Sequence, residues 1–301
     1  MSVENRGAGR RRVPLGKIVA WAVLIVLLAI TLVPFYWMLR TSFSTTASLP
    51  SNSENPLPAD FTLDAYRRVL GLSSADESIA AGGSTGSLNF WVYLRNSLVV
   101  AVSITAVQTF SCALAAYAFA RLRWPGREVV FSIFLAALMV PPIFTTLPNF
   151  VLIRDLGLLN TYLGIVLPSL LMSPFAVFFL RQFFLGIPKE IEEAARIDGA
   201  GYFRTFFRII VPMSSAPVTT LAILTYVGAW NEYFWPLLVG QSEDVRVLTV
   251  ALGIFRAQTP NGGPDWAGLM AGTVIAALPI LVLFIAFGKR VINSIEFSGI
   301  K

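Results

Sequence analysis

Six long apolar runs, nearly free of charge, dominate the pattern along this chain: residues 18–39, 96–120, 129–153, 156–180, 209–231 and 266–288. Each exceeds the roughly 20 residues that a helix rising about 1.5 Å per residue needs to cross about 30 Å of hydrocarbon. Only helices and closed barrels satisfy their backbone polar groups in lipid, and runs of this length are helices. The pattern therefore predicts an all-α integral membrane protein with six transmembrane helices. The third and fourth runs meet at Arg154 and Asp155, and residues 157–161 between them predict a tight turn. The first run is longer than the about 7–15 apolar residues of a cleaved signal, and no small-residue cleavage site follows it. It is read as an uncleaved first span.

Between the runs lie two long polar segments. Residues 41–94 contain a Pro/Ser/Asn stretch, 49–58, and a Gly/Ser stretch, 82–87, that looks like an insertion. Phe61, Ala65 and Val69 at helical spacing predict a short surface helix over 61–70. Residues 237–265 form the second segment, with Pro260, Asn261, Gly262, Gly263 and Pro264 as its turn. The chain divides into a cytoplasmic N-terminal tail, 1–17, a six-span domain, 18–288, and a cytoplasmic C-terminal tail, 289–301.

Composition agrees with this picture. Of 301 residues, 55% are hydrophobic and 13% charged, where a soluble domain carries roughly a quarter charged residues. Histidine is absent, which removes the commonest general base and metal ligand. The one cysteine, Cys112, lies inside an apolar run and has no partner for a disulfide. No G-x-x-x-x-G-K-[ST] phosphate loop occurs, so no catalytic residue, metal or bound cofactor is expected of this chain. A membrane-embedded enzyme would need converging His, Asp or Ser groups. An ion-coupled secondary transporter would need intramembrane charges and two related halves. Neither pattern is visible.

The net charge of +6 resides in Lys and Arg at the ends of the runs, as topology signals and lipid headgroups require, and does not suggest nucleic acid. With the N-terminus inside, 16 of the 23 basic residues fall on the inner side and 7 on the outer. Both termini are therefore assigned to the cytoplasm, N-in and C-in.

The inner loop 187–212 is the most informative segment. Pro188 suits a first helical position, and Glu190, Glu192 and Glu193 crowd the positive end of the helix dipole. Gly199 and Gly201 stop that helix and allow a sharp bend. In the following segment Phe203, Phe206, Phe207 and Ile210 predict an apolar face, with Arg204 and Arg208 pointing away from it. The small Ala194 and Ala195 let another surface approach the backbone. A short charged knob of this kind suits docking into a partner's cleft. An interfacial helix lying flat on the bilayer is the other reading that physics leaves open.

Glu193-Ala194-Ala195, then Gly199, then Ile209-x-Val211-Pro212, resembles the EAA motif of ABC-importer permeases, with Val211 where leucine is usual. Further matching pieces are Phe61-Thr62-Leu63-Asp64-Ala65-Tyr66, Asn96-Ser97-Leu98, residues 115–121, Pro141-Pro142 and Trp230-Asn231-Glu232-Tyr233. They make the chain similar to the maltose-permease G branch of the carbohydrate-uptake family. The resemblance implies a type I importer permease fold in the bacterial cytoplasmic membrane. It also implies a second, different permease, two ATP-binding subunits that hold ATP and Mg, and an extracytoplasmic solute-binding protein. Glu190, Glu193, Ala194, Ala195, Arg196, Asp198, Gly199 and Ala200 would contact an ATP-binding subunit. Ser298, Gly299, Ile300 and Lys301 could reach the same subunits. The solute would be a di- or oligosaccharide, such as maltose or trehalose, or a related compound such as glycerol 3-phosphate.

Polar and helix-breaking residues within the spans are candidates for a solute pathway. An ionisable group at membrane depth is a functional candidate by default, which singles out Glu232 with its neighbours Asn231 and Tyr233. Trp and Tyr there also suit an interface belt. Thr145, Asn149 and Ser173 are weaker candidates. Prolines interrupt five of the runs, and broken helices line transport cavities where freed carbonyls need partners.

Overall fold

The computed structural model describes residues 15–84, 88–257 and 263–296. Among them it is helical throughout, with no strand. The N-terminal tail to residue 14, residues 85–87 of the Gly/Ser stretch, residues 260–262 of the second turn and Ser298–Lys301 lie outside the described residues.

Three helices are long and apolar enough to cross a bilayer unbroken: α1 (Leu15–Ser42), α4 (Phe90–Arg121) and α15 (Trp266–Glu296). Between α1 and α4 lie two short surface helices, α2 (Asp64–Val69) and α3 (Ala75–Ala80). The remaining three runs, which prolines were expected to interrupt, are bent pairs. The run 129–153 is α5 (Arg127–Ala137) and α6 (Pro142–Asp155), set at 98°. The run 156–180 is α7 (Tyr162–Leu170) and α8 (Pro174–Leu185), at 45°. The knob helix α9 (Lys189–Ile197) follows. The run 209–231 is preceded by α10 (Tyr202–Thr205), a π turn (Phe206–Ile210) and α11 (Val211–Met213). After an 81° break at Ser214 it continues as α12 (Ser215–Asn231). Two further helices, α13 (Phe234–Val239) and α14 (Leu248–Ala257), fill the segment before α15. Six crossings follow when each bent pair counts as one span.

Proline explains the breaks. Its ring lacks the N–H of the helical ladder and disfavours helical geometry in the residue before it. Pro142 and Pro174 each open the second helix of a pair, at N1 where the missing donor costs nothing. Pro212 follows the π turn, whose wider register absorbs the lost bond. The tight turn between α6 and α7 forms where expected, with Gly157 at φ 69° and Asn160 at φ 58°.

Other boundaries shift. The last helix continues to Glu296, past residue 288 where the C-terminal tail was expected to begin. The surface helix starts only at Asp64. Ala65 and Val69 are fully buried in it, while Phe61 lies outside the helix, 70% exposed and stacked on Phe43.

α4 is the hub, packing against α5, α7, α8, α12 and α14. α1 packs on α15 and leaves the side chains of residues 18–36 exposed. Apolar surface on this scale faces lipid or another membrane subunit. The loops assigned to each side by charge also meet each other in space. Thr46, Arg68 and Ser84 of one outer segment contact Asp265 of the other. On the opposite side Arg121 meets Glu192. This pairing is what an even alternation of crossings requires.

The outer contact is a buried staple. The Arg68 guanidinium meets both Asp265 carboxylate oxygens at 3.2 Å, with side chains 3% and 0% exposed. Asp265 also accepts from the Thr46 hydroxyl (2.8 Å) and from the backbone N–H groups of Ser84 (2.9 Å) and Gly268 (2.8 Å). The last bond caps the start of α15. Every carboxylate lone pair thus has a donor, the condition under which a buried charge is tolerated. Arg68→Met should therefore destabilise the protein by about 3–5 kcal/mol, because it leaves the Asp265 charge unpaired. Scanning fluorimetry should show a large drop in melting temperature for Arg68→Met, and part of it should be recovered when Asp265→Asn is added, which removes the charge and keeps an acceptor for Thr46 and Gly268 N–H.

Candidate functional site

Two places gather chemistry: a knob at the inner end of the bundle and a cavity within it. The knob begins with α9. Pro188 lies just before the helix as its N-cap, one position earlier than expected. The helix ends in a Schellman motif. Ala200 N–H donates to Ala195 C=O (2.9 Å) and Gly199 N–H to Arg196 C=O (3.0 Å), with Gly199 at φ 77°. An added Cβ at Gly199 would meet nothing within 4 Å, so glycine is needed there for its backbone conformation and not for space.

Glu190, Glu193, Ala194, Arg196, Asp198 and Gly199 are exposed on the knob, Ala200 is half-buried and Ala195 is buried. The helix therefore offers a charged outer surface and rests on the bundle through Ala195 and Glu192. The Arg196 guanidinium sits 5.3 Å from the centre of the Tyr202 ring. The expected apolar face of the second segment is only half realised. Phe206 and Ile210 are buried, but Phe203 and Phe207 are 74% and 50% exposed. The π turn over Phe206–Ile210 shifts the register, so the four residues do not share one face. Arg204 and Arg208 are exposed, as expected.

What anchors the knob was not evident from the sequence. Arg121, the last residue of α4, forms an ion pair at 3.0 Å with Glu192, their side chains 3% and 7% exposed. Nη2 of Arg121 also donates to the carbonyls of Phe184 and Ile187 at the end of α8. One guanidinium thus ties α4, α8 and α9 together. Arg181 on α8 lies 4.1 Å from the Phe131 ring centre and 3.4 Å from Glu128, which adds α5 to the same cluster. Between the segment around Arg121–Glu128 and α9 runs a cleft of about 940 Å³, with Arg123, Lys189, Glu193 and Arg196 along it.

The second place is a cavity of about 320 Å³ between α4, α7, α8 and α12. Its position follows from the broken helices. Backbone groups freed at the α7–α8 break, two carbonyls and one N–H, are taken up by α4. Gln108 Nε2 donates to Ser169 C=O (2.5 Å), the Ser111 hydroxyl donates to Leu171 C=O, and Cys112 Sγ accepts from Ser173 N–H (3.3 Å). Gln108, Ser169, Ser173, Thr225 and Glu232 supply its polar lining, Phe175 and Trp235 its aromatic lining.

Glu232 separates α12 from α13. Its Oε1 accepts from the N–H groups of Phe234 (3.0 Å) and Trp235 (3.2 Å), and its carbonyl accepts from the Thr249 hydroxyl (2.9 Å). Of the expected pathway residues, Glu232 and Ser173 line the cavity, whereas Asn231, Tyr233, Thr145 and Asn149 do not. Asn231 bonds back to Val227 C=O, Thr145 to Pro142 C=O, and the Tyr233 ring lies against Gly253. Gln108 and Thr225 were missed because an isolated amide or hydroxyl in an apolar run gives no signal of the face it occupies. Among the described residues no cluster of three or more metal-ligating side chains occurs.

Comparison with known proteins gives a consistent picture. Residues 109–296 match the family model for the binding-protein-dependent transport system inner membrane component. The chain is 31% identical over 279 residues to the diacetylchitobiose uptake system permease protein NgcG of Streptomyces coelicolor, covering 92% of this chain and 87% of that one. It is 32% identical over 279 residues to the trehalose/maltose transport system permease protein MalG of Thermococcus litoralis, covering 92% and 94%. Its fold matches a chain of a bacterial ABC transporter involved in the import of the acidic polysaccharide alginate, with a TM-score of 0.75 at 22% identity over 96% of this chain and 99% of that one.

The Schellman turn gives a direct test of the knob's construction. Gly199→Val forces a branched side chain into the left-handed region and should cost about 1–2 kcal/mol locally, while Gly199→Asn should cost less. Hydrogen exchange should show faster exchange at the Gly199–Ala200 turn in the valine variant, with little change in the asparagine variant.

Proposed function

The chain belongs to the family of binding-protein-dependent transport system inner membrane components, and from that premise we propose that it is the membrane-spanning permease subunit of an ATP-driven carbohydrate importer. The carrying observation is the anchored knob on the inner side. α9 presents Glu190, Glu193, Ala194 and Arg196 outward, and the buried Arg121–Glu192 pair seats it on the end of α4. A knob built in this way moves as one piece with α4. That helix also carries Gln108 of the central cavity, 13 residues from Arg121, or about 20 Å along the axis.

In this reading two ATP-binding subunits hydrolyse ATP, one of them gripping α9. Their closure pulls α9, and Arg121 passes the displacement to α4 and so to the cavity wall. This chain supplies no catalytic group. A second, different permease completes the transmembrane path, and an extracytoplasmic solute-binding protein delivers the sugar to the outer face. Similarity to permeases for diacetylchitobiose and for trehalose or maltose supports a carbohydrate as the solute. Glu232 of the central cavity lies on its path. Ser298–Lys301 remain candidates for a further contact with the ATP-binding subunits.

Glu193 is exposed, so Glu193→Arg should leave the melting temperature of the complex unchanged. In proteoliposomes it should lower ATP-driven sugar uptake about tenfold or more, as expected for a reversed interfacial charge. ATP turnover should also lose its response to loaded binding protein. Normal uptake by this variant would defeat the knob's assigned role. Uptake should persist in the presence of a protonophore and stop without ATP; the reverse would favour an ion-coupled carrier.

A further inference from the structure

Resting on the carbohydrate reading above, we infer that the central cavity takes a solute that donates hydrogen bonds and bears no negative charge: a neutral or amino-bearing sugar, not a phosphorylated or uronic one. Sixteen residues line the cavity, and none is Lys or Arg; its one acidic member is Glu232. Oε1 of Glu232 is occupied by two backbone N–H groups, which leaves Oε2 without a protein donor among the described residues. The amide of Gln108 gives one of its two Nε2 hydrogens to Ser169 C=O, and its Oε1 has no donor among the described residues. The polar wall thus holds hydroxyl and amide groups that both donate and accept, and its one fixed charge is negative.

A phosphate or carboxylate can only accept hydrogen bonds. Beside Glu232 it would meet a like charge, with no Lys or Arg in the cavity lining to offset it. Sugar hydroxyls and ammonium groups donate, and suit Oε2 of Glu232 and Oε1 of Gln108. Phe175 and Trp235 add flat apolar faces, and the Trp235 indole is fixed by its N–H bond to Ile165 C=O (3.1 Å). Unpaired cations do exist in this chain. Arg123, Lys189 and Arg196 stand along the inner cleft and not around the central cavity.

The test uses the intact complex with its solute-binding protein, reconstituted in proteoliposomes. Its probes are neutral disaccharides (maltose, trehalose, cellobiose, diacetylchitobiose), the cationic chitosan disaccharide, and two anions, sn-glycerol 3-phosphate and an alginate disaccharide. ATP-driven uptake is expected for at least one uncharged or cationic probe, and background counts for both anions. Uptake of an anion at or above the best neutral rate overturns the inference and leaves the importer reading standing. No uptake of any probe by a complex that hydrolyses ATP overturns that reading and the inference with it.

A second arm addresses the wall itself. Glu232→Gln keeps an acceptor for the α13 backbone and removes the charge; it should lower the maximal uptake rate of the selected sugar about tenfold. Thr225→Val, remote from that cap, should lower it about threefold. Folded variants that both transport at the wild-type rate overturn the cavity assignment.

Discussion

Inside a bilayer no water is available to a backbone N–H or C=O, so every group freed from a helix must find a partner within the protein. Three of the apolar runs here are bent helix pairs, and the way the α7–α8 break is satisfied organises the bundle around α4. Side chains of α4 answer the α7–α8 break, with Gln108, Ser111 and Cys112 reaching Ser169, Leu171 and Ser173. Near its outer end, Asn96 donates to the carbonyls of Asp244 and Arg246 and accepts from the Tyr162 hydroxyl, while Ser97 accepts from Leu248 N–H. Helix α4 is central because the α7–α8 pair and the segment before α14 both depend on its side chains. The polar cavity lies between α4, α7, α8 and α12, since irregular backbone at membrane depth is tolerated only beside protein or a cavity.

The two ends of the bundle are closed by different means from its middle. Each carries a buried ion pair, Arg68–Asp265 outside and Arg121–Glu192 inside. Such pairs add little net stability, because desolvation of both charges offsets their attraction. What they supply is a fixed relation between segments that apolar packing alone would hold loosely. The outer pair fixes the surface helix α2 to the start of α15, and the inner pair fixes the knob to the end of α4. A displacement at the knob therefore arrives at a helix that also lines the cavity.

The large exposed apolar surfaces of α1 and α15 fit the same scheme. In lipid there is no hydrophobic penalty for such surfaces, and packing against another membrane subunit would proceed through shape and small polar contacts.

The sequence by itself determined the class of the molecule and the form of the knob, and it supplied the expectation of its orientation. Those features depend on local quantities: the length of charge-free runs, the side on which Lys and Arg gather, and a proline-to-glycine frame around Glu190–Gly199 whose helix and cap form from neighbouring residues. It also marked the prolines that break the spans, though not the angles they impose. Only the tertiary structure decided which polar residues act together. Arg68 and Asp265 are 197 positions apart, and nothing near either one announces its partner. Glu232 faces the cavity while adjacent Asn231 and Tyr233 do not, because the α12–α13 break there undoes the helical periodicity from which a face could have been read. Phe203 and Phe207 part from Phe206 and Ile210 for the same reason, since a π turn intervenes. Pattern is legible where the backbone is regular; at the breaks, where the candidate site lies, packing sets the direction of each side chain.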